Sequence, residues 1–129
     1  MKHCKTVDIE ALIQAYLAAK GYAAYAPPVP LDLSAGAVGV TRTGGNERAY
    51  VQDVHSLDVD CYGDNDAEAM NLANDMTNAI RSMPAQLDGV TVYGAQIVTL
   101  PYANPDPDRR DLARATLKAQ ITTRVIHTQ

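Results

Sequence analysis

The sequence contains no tryptophan and no phenylalanine, and its seven tyrosines are its only aromatic residues. Its hydrophobic core must therefore be built mainly from Ala, Val, Leu and Ile. Charged residues make up 20% of the chain, below the roughly 25% of an average globular domain. No apolar run approaches the roughly 18 residues that a membrane helix needs. These absences argue against a membrane span, and we expect no membrane partner.

Net positive charge is also missing. The formal net charge is −4, whereas electrostatic binding of nucleic acid needs a basic stripe, so we expect no sequence-specific nucleic-acid partner. The only cysteines, Cys4 and Cys61, include no C-x-x-C pair, which argues against a disulfide scaffold or a zinc knuckle. Cys61 falls in the apolar phase of a strand and is expected to be a small buried hydrophobe. Residues 1–5 contain no signal-peptide apolar region, so the sequence predicts a soluble intracellular domain.

Hydrophobic periodicity predicts two helices. The first covers residues 7–20, with Thr6 as its cap. The second begins at an approximate capping box formed by Asn65 and Glu68, and Pro84 ends it. Its apolar side chains recur at helical spacing and are expected to be buried: Ala69, Leu72, Ala73, Met76, Ala79, Ile80 and Met83.

Alternation and short apolar runs predict four strands, over residues 37–42, 50–62, 90–100 and 115–126. Thr43-Gly44-Gly45-Asn46 is predicted to be a tight hairpin turn, because adjacent glycines allow the positive φ values that such turns need. The third strand is expected to bend at Gly94. Two proline-containing stretches, 22–36 and 101–110, are predicted to be an extended connector and an exposed loop.

The predicted order is therefore α-β-β-α-β-β. The chain has 129 residues, of which 47% are hydrophobic, and this size and composition suit a single domain over residues 1–129. We expect an α+β fold of two layers, with a four-stranded, mostly antiparallel or mixed sheet and two helices on one sheet face.

No metal or cofactor site is expected. Residues 58–66 resemble a calcium loop, but Tyr62 and Ala69 occupy positions where that loop needs oxygen ligands. The three histidines, His3, His55 and His127, are far apart and are not spaced from Cys, Asp or Glu as metal ligands usually are. The acids of this segment are better explained by strand and helix-start positions.

Catalytic motifs are absent as well. The sequence contains no G-x-S-x-G elbow, no phosphate-binding loop and no dinucleotide fingerprint. Asp58 and Asp60 could form a carboxylate pair, but catalysis would need a cleft that separates their pKa values. A solvated sheet face explains them more simply, with Lys118 and Arg124 available for pairing if the second and fourth strands are neighbours. We expect a protein that is not an enzyme.

The order of elements and several local stretches resemble the tail terminator proteins of long-tailed phages. The resemblance covers residues 7–126 and includes residues 40–45 (Val-Thr-Arg-Thr-Gly-Gly), Asp53, and residues 57–63 (Leu-Asp-Val-Asp-Cys-Tyr-Gly) leading into the second helix. The late segment 101–106 (Pro-Tyr-Ala-Asn-Pro-Asp) and a final strand also fit.

The resemblance implies a non-catalytic virion protein of the tail or neck, assembled in the host cytoplasm. Such proteins form a homo-oligomeric ring, typically of six subunits, that caps the tail tube and joins it to the head connector or stopper protein. An acidic charge repeated around a ring would suit a lumen through which DNA slides. Two other classes stay open: a head-completion or connector protein of the same particle, and a small cellular ligand-binding α+β module with a concave pocket.

The two predicted loops, 43–48 and 101–110, are expected to carry the interaction surface. Neither has the periodicity of a core segment, and Arg, Tyr and Pro are favourable residues for docking. Both loops could also be plain solvated connectors. The expected interaction residues are Arg42, Asn46, Arg48, Tyr102, Asp106, Asp108, Arg109 and Arg110.

Overall fold

The computed structural model describes residues 3–25, 34–48 and 51–128. Within these residues the chain forms two helices, α1 (Ile9–Ala19) and α2 (Asp66–Arg81). The strands, in chain order, are β1 (His3–Lys5), β2 (Ala23–Tyr25), β3 (Ala37–Arg48), β4 (Gln52–Gly63), β5 (Gln86–Leu87), β6 (Val90–Ala103), β7 (Ala113–Arg124) and β8 (Ile126–Thr128).

Six strands form one sheet in the order β2-β3-β4-β7-β6-β5, and β1 pairs with β8 in a second, two-stranded sheet. Within the larger sheet, β2 and β3 are parallel, and every other neighbouring pair is antiparallel. This sheet is mixed and curls into a half-barrel. The expected four-stranded sheet is therefore wrong.

The difference comes from strands that are too short to be recognised in the sequence. The four predicted strands correspond to the long central ones, β3, β4, β6 and β7. The four that were missed are β1, β2, β5 and β8, each only two or three residues long. Side-chain alternation over so few residues does not differ from that of a loop, so only pairing with a neighbour defines them as strands.

The first hairpin turns later than predicted. β3 continues through the expected turn at residues 43–46 as far as Arg48, and its register with β4 shifts between Arg42 and Gly44. Gly44 and Gly45 do have positive φ values, +140° and +144°. At Gly45 a Cβ atom would collide with the backbone carbonyl oxygen of Val54 on β4. The glycine pair therefore provides a bulge and a close strand contact, not a turn.

The second long hairpin also differs from the prediction. β6 runs to Ala103, so the first three residues of the predicted loop 101–110 belong to a strand. Pro101 lies in the register shift between Thr99 and Tyr102. It is tolerated there because, among the described residues, β6 has no neighbouring strand on its outer side at that point. The expected bend at Gly94 coincides with a register shift between Val92 and Gly94.

The helix ends follow from capping. Asp8, not Thr6, caps α1, because its side chain accepts a hydrogen bond from the Ala11 N–H at 3.2 Å. Asn65 caps α2 as predicted by accepting from the Glu68 N–H at 2.9 Å. The Glu68 carboxylate reaches back to the N–H of Asp64 at 3.0 Å, one residue beyond the usual partner in a capping box.

Both helices share one hydrophobic core with the face of the sheet that we call the helix-covered face. On β4 and β7 this face consists of Leu57, Val59, Cys61, Ala115, Leu117, Ala119 and Ile121, each at most 1% exposed. Tyr16 of α1 also donates a hydrogen bond to the Ala79 carbonyl oxygen of α2 at 2.8 Å. Cys61 is a free, buried thiol, as its position in the strand predicted.

The buried face of α2 departs from its prediction at three positions. Leu72 and Met83 are only half-buried, and Thr77 is buried instead. Thr77 satisfies its hydroxyl by donating to the Ala73 carbonyl oxygen one turn earlier, at 2.9 Å. Among the described residues, no helix has the length and apolar character needed to cross a membrane.

Candidate functional site

The sheet face opposite the helices carries polar side chains, and we call it the open face. On β4 and β7 it includes Asp58, Asp60 and Lys118, which are partly exposed. Tyr62 and Thr116 lie on the same face but are buried, at 2% and 1% exposure, so the expectation of a solvated face is wrong at these positions. Lys118 lies directly opposite Asp58 and forms an ion pair with it at 2.9 Å. This hydrogen bond raises the pKa of the Lys118 ammonium group. The predicted cross-strand pairing is therefore present for Lys118.

Arg124 does not take part in that pairing. It lies opposite Gln52, at the other end of β4 from Asp60. Asp60 instead accepts a hydrogen bond from the hydroxyl of Thr116 at 2.6 Å. The Thr116 hydroxyl in turn accepts from the side-chain amide of Asn104, at 3.0 Å, where the chain leaves β6. A line of hydrogen bonds thus runs from the open face into the following loop.

That loop, residues 104–112, is held against the sheet by a polar clamp. Tyr62 donates its phenol hydrogen bond to Asp106 at 3.0 Å, and Arg114 lies 3.6 Å from the same carboxylate. Arg114 also donates to the Asn104 carbonyl oxygen at 2.6 Å. Burial raises the pKa of the Tyr62 phenol, and the bond to Asp106 acts in the same direction. Tyr62 therefore remains a neutral donor at physiological pH.

The outer part of the loop is also ordered by local bonds. The Asp106 carboxylate accepts from the Asp108 N–H at 2.9 Å, and the Arg109 guanidinium binds Asp111 through two nitrogens, at 3.1 and 3.0 Å. Leu112 at its end packs with Tyr62 in a small second apolar cluster. The loop is thus preorganised, which lowers the entropy lost when a partner binds.

The eight expected interaction residues fall into two groups, as their two predicted loops implied. Arg42, Asn46 and Arg48 are exposed on β3, where Arg48 pairs with Gln52 near the hairpin end of the sheet. Tyr102 is at the far end of β6, followed by Asp106, Asp108, Arg109 and Arg110 in the loop 104–112. β4 connects the two ends and spans about 35 Å at the usual rise per residue.

Roles within these groups differ. The carboxylate of Asp106 is engaged in the clamp, and the backbone N–H of Arg42 is bound to the Glu10 carboxylate of α1 at 2.8 Å. Asp108 and Arg110 are exposed at the outer part of the loop. A partner that approaches this end of the sheet would meet Asp108 and Arg110 first.

A buried polar group on the helix-covered face was not predicted. His55 is 1% exposed, and its Nε2 lies 2.9 Å from the hydroxyl of Thr123. Burial lowers the pKa of His55, and the charge of Arg42 lowers it further, against the opposing effect of Asp53. His55 precedes Leu57 by two residues, so strand alternation was the signal that could have placed it in the interior.

The surroundings of His55 include two unsatisfied polar atoms. The Nδ1 of His55 and one carboxylate oxygen of Asp53 are buried without a hydrogen-bond partner among the described residues. No cluster of three or more His, Cys, Asp or Glu side chains suited to a metal ion occurs within residues 3–25, 34–48 and 51–128.

Two of the depressions in the surface of the described residues are candidate ligand pockets. One, of about 480 Å³, lies between the helices beside Lys20, Asp75 and Asn78 and is wide open to solvent. The other, of about 160 Å³, lies on the open face beside Asp58, Val98 and Lys118. Small-molecule sites usually enclose most of their ligand, which neither of these shallow depressions does.

A further surface feature is an uncharged, partly apolar strand. β6 has no Asp, Glu, Lys or Arg in its 14 residues. Four of its large side chains are exposed: Tyr93 (48%), Val98 (55%), Leu100 (62%) and Tyr102 (36%). Sequence reasoning selected only Tyr102 of these four. The lack of charged residues over 90–103 was the signal that could have identified the other three side chains.

These features define a structural class of protein: a curled-sheet α+β domain that displays exposed strands and an ordered loop. Neither the comparison with protein families nor the comparison with curated proteins finds a match. The chain is similar in structure to a chain from the virion of a native gene transfer agent particle. The TM-score is 0.53 at 20% sequence identity, and the alignment covers 89% of this chain and 84% of that chain. The two chains therefore share a fold.

Proposed function

We propose that this protein is a virion structural protein of a phage or phage-like particle, and that it forms a ring that caps the tail tube. The observation that carries the proposal is the shared fold over most of both chains with a component of a gene transfer agent virion. The sequence resemblance to phage tail terminators is a separate observation and points to the same kind of particle.

The surface of the domain supports a docking role. The loop 104–112 is fixed by Tyr62, Asp106 and Arg114, yet it presents Asp108 and Arg110 to solvent. A rigid loop with exposed polar side chains suits the binding of another protein, because little conformational entropy is lost on contact. In this proposal the loop binds the tail-tube protein or the head connector, and the protein acts without catalysis or a cofactor.

Electron microscopy of mixtures tests the proposal. The purified protein is added separately to uncapped tail tubes and to filled, tailless heads of the particle that encodes it. The expected result is a ring, of six copies in this proposal, at one end of the tubes. Binding to heads but not to tubes would assign the connector role instead. Absence of binding to both would refute a neck or tail function.

A matched pair of variants tests the role of the loop. Asp108→Ala with Arg110→Ala removes one acid and one base from the loop and should abolish capping without lowering the unfolding midpoint. Asp75→Ala with Arg81→Ala removes the same residue types from exposed positions on α2 and should leave capping unchanged. Equal capping by both variants would exclude the loop from the contact.

A further inference from the structure

The outer edge of β6 is an unpaired strand edge. β5 pairs with β6 only at Val90 and Thr91. Beyond Thr91, β6 is the last strand of the sheet, with β7 on its inner side. The N–H of Val92 still donates to the Ala85 carbonyl oxygen, at 2.8 Å. Within the described chain, the outward backbone N–H and C=O groups of residues 93–103 have no strand partner.

Edge strands of monomeric proteins are usually protected against pairing with other chains. Common protective features are charged side chains, prolines and bulges. β6 has three register shifts and one proline, Pro101, but no charged residue. It also exposes Tyr93, Val98, Leu100 and Tyr102, four of the six large hydrophobic side chains that are exposed in the described chain. An uncharged edge with this much exposed apolar surface is typical of a contact that another strand covers.

The same sheet offers a partner for this edge at its opposite side. β2 covers β3 only from Ala37 to Gly39. Among the described residues, Val40 to Arg48 of β3 has β4 on one side and no strand on the other. Because the Arg42 N–H is bound by the Glu10 carboxylate of α1, the part of this edge that is available for pairing is Thr43 to Arg48. Both free edges are therefore long enough for a ladder of several hydrogen bonds.

The directions of the two edge strands are also suitable. Three antiparallel steps separate β3 from β6, through β4 and β7, so β3 and β6 run in opposite directions. If a second copy is rotated about an axis along the strands, its β3 lies antiparallel to β6 of the first copy. Each copy then uses both of its edges, one in each neighbouring contact. A head-to-tail contact of this kind closes into a ring when the rotation closes.

We propose that β6 of one copy pairs antiparallel with β3 of the next copy, so that the sheet continues from subunit to subunit around a ring. This inference deepens the ring that we proposed above by naming its subunit contact. The unpaired backbone groups of both edges are then satisfied, and the exposed side chains of β6 gain cross-strand contacts with side chains of the neighbouring β3.

Disulfide cross-linking tests the contact and its polarity. In a Cys4→Ser background, the remaining Cys61 is fully buried, and burial raises the pKa of its thiol, so it should not react. Tyr93→Cys or Val98→Cys on β6 is combined with Thr43→Cys, Asn46→Cys or Arg48→Cys on β3. In the unshifted sheet, Val98 is level with Thr41 and Arg42, and Tyr93 lies between the levels of Asn46 and Glu47. The pairs that include Tyr93→Cys therefore allow for a stagger in either direction.

The expected result, after oxidation of the purified protein, is a ladder of covalent oligomers from at least one double variant and only monomers from each single variant. Dimers from a single β6 variant would show that β6 pairs with itself and would overturn the proposal. Absence of a ladder from every double variant would also overturn it.

A charge test provides a second, independent measurement. Val98→Lys with Leu100→Lys should convert the ring to monomers in a sizing experiment. Val51→Lys with Ile126→Lys adds the same charge at two other exposed apolar positions, 38% and 39% exposed, and should leave the ring intact. Capping of tail tubes without any β3–β6 cross-link would reject this contact alone. Cross-linked rings that do not cap tubes would reject the tail function alone.

Discussion

The two faces of β4 and β7 differ in what they contribute to the protein. The helix-covered face consists mainly of aliphatic side chains and Cys61, packed beneath α1 and α2 with almost no exposure, and it also contains the buried pair His55 and Thr123. The open face carries carboxylates, hydroxyls and a lysine that bond to one another. Burial of apolar surface stabilises the first face in proportion to area, whereas exposed ion pairs contribute little. We therefore expect the helix-covered face to maintain the fold and the open face to position the loop 104–112.

The largest expected effect on stability comes from comparing a buried leucine with an exposed one. Leu117 is fully buried at the centre of β7, so Leu117→Ala should lower the free energy of unfolding by about 2–5 kcal/mol. Leu100→Ala makes the same chemical change at a position that is 62% exposed and should cost less than about 0.5 kcal/mol. Urea denaturation measures both. Equal losses would mean that stability does not follow the division between the faces.

The second prediction concerns His55, which is buried on the helix-covered face. Because its pKa is lowered in the folded state, His55 binds a proton more readily after unfolding. Its contribution to stability should be complete above pH 6.5, the ordinary value, and should be lost as the pH falls toward the folded-state pKa.

An NMR titration of the folded protein should give a midpoint for His55 below 6.5. His55→Gln should remove this part of the pH dependence of the unfolding free energy. A midpoint above the ordinary value would contradict the prediction, because it would mean that the folded protein stabilises the protonated imidazole ring.

The clamp on the open face should have a smaller effect on stability and a local effect on the loop. Tyr62→Phe removes the donor to Asp106 and should cost about 0.5–1.5 kcal/mol. Amide hydrogen exchange should accelerate in residues 104–112 more than in β7. Tyr93→Phe, on a side chain that is 48% exposed, serves as the control and should change neither measurement. Uniform acceleration over the whole sheet would argue against a local clamp.

The smallest effect is expected for the ion pair between Lys118 and Asp58. Both side chains are partly exposed, at 42% and 27%, so a double-mutant cycle with Lys118→Met and Asp58→Asn should give a coupling energy of about 0.2–1 kcal/mol. Added salt should reduce this coupling. A larger coupling that does not depend on salt would show that the open face is shielded from solvent, as it would be inside an assembly.

Sequence reasoning located the long elements because each repeats its pattern over many residues. The alternation in β4 and β7 and the helical spacing in α2 were correct except at single positions such as Leu72, where the neighbouring packing decides how much of the side chain is covered. The glycine pair at Gly44 and Gly45 was assigned to a turn. Positive φ is needed both in turns and in bulges, and the sequence alone does not distinguish between them.

The candidate site was less accessible to sequence reasoning than the fold. Asp106 was chosen as an exposed contact residue, but Tyr62 and Arg114 bind it, and these two residues are 44 and 8 positions away along the chain. Such a clamp forms only when β4 and β7 become neighbours. The expected interaction residues likewise separate into two groups because consecutive strands reverse direction, which places the β3–β4 connection and the loop 104–112 at opposite ends of the sheet.

The sequence by itself therefore determined two amphipathic helices and four long strands, because these depend on side-chain periods of 3.6 and 2 residues. It also determined the core-facing side of the helices, of β4 and of β7. Only the tertiary structure decided the short strands β1, β2, β5 and β8, the clamp on the loop and the two unpaired edges. The physical reason is that strand pairing and edge exposure are properties of neighbouring segments. A strand of two residues, or an edge without a neighbour, has no signature within its own sequence.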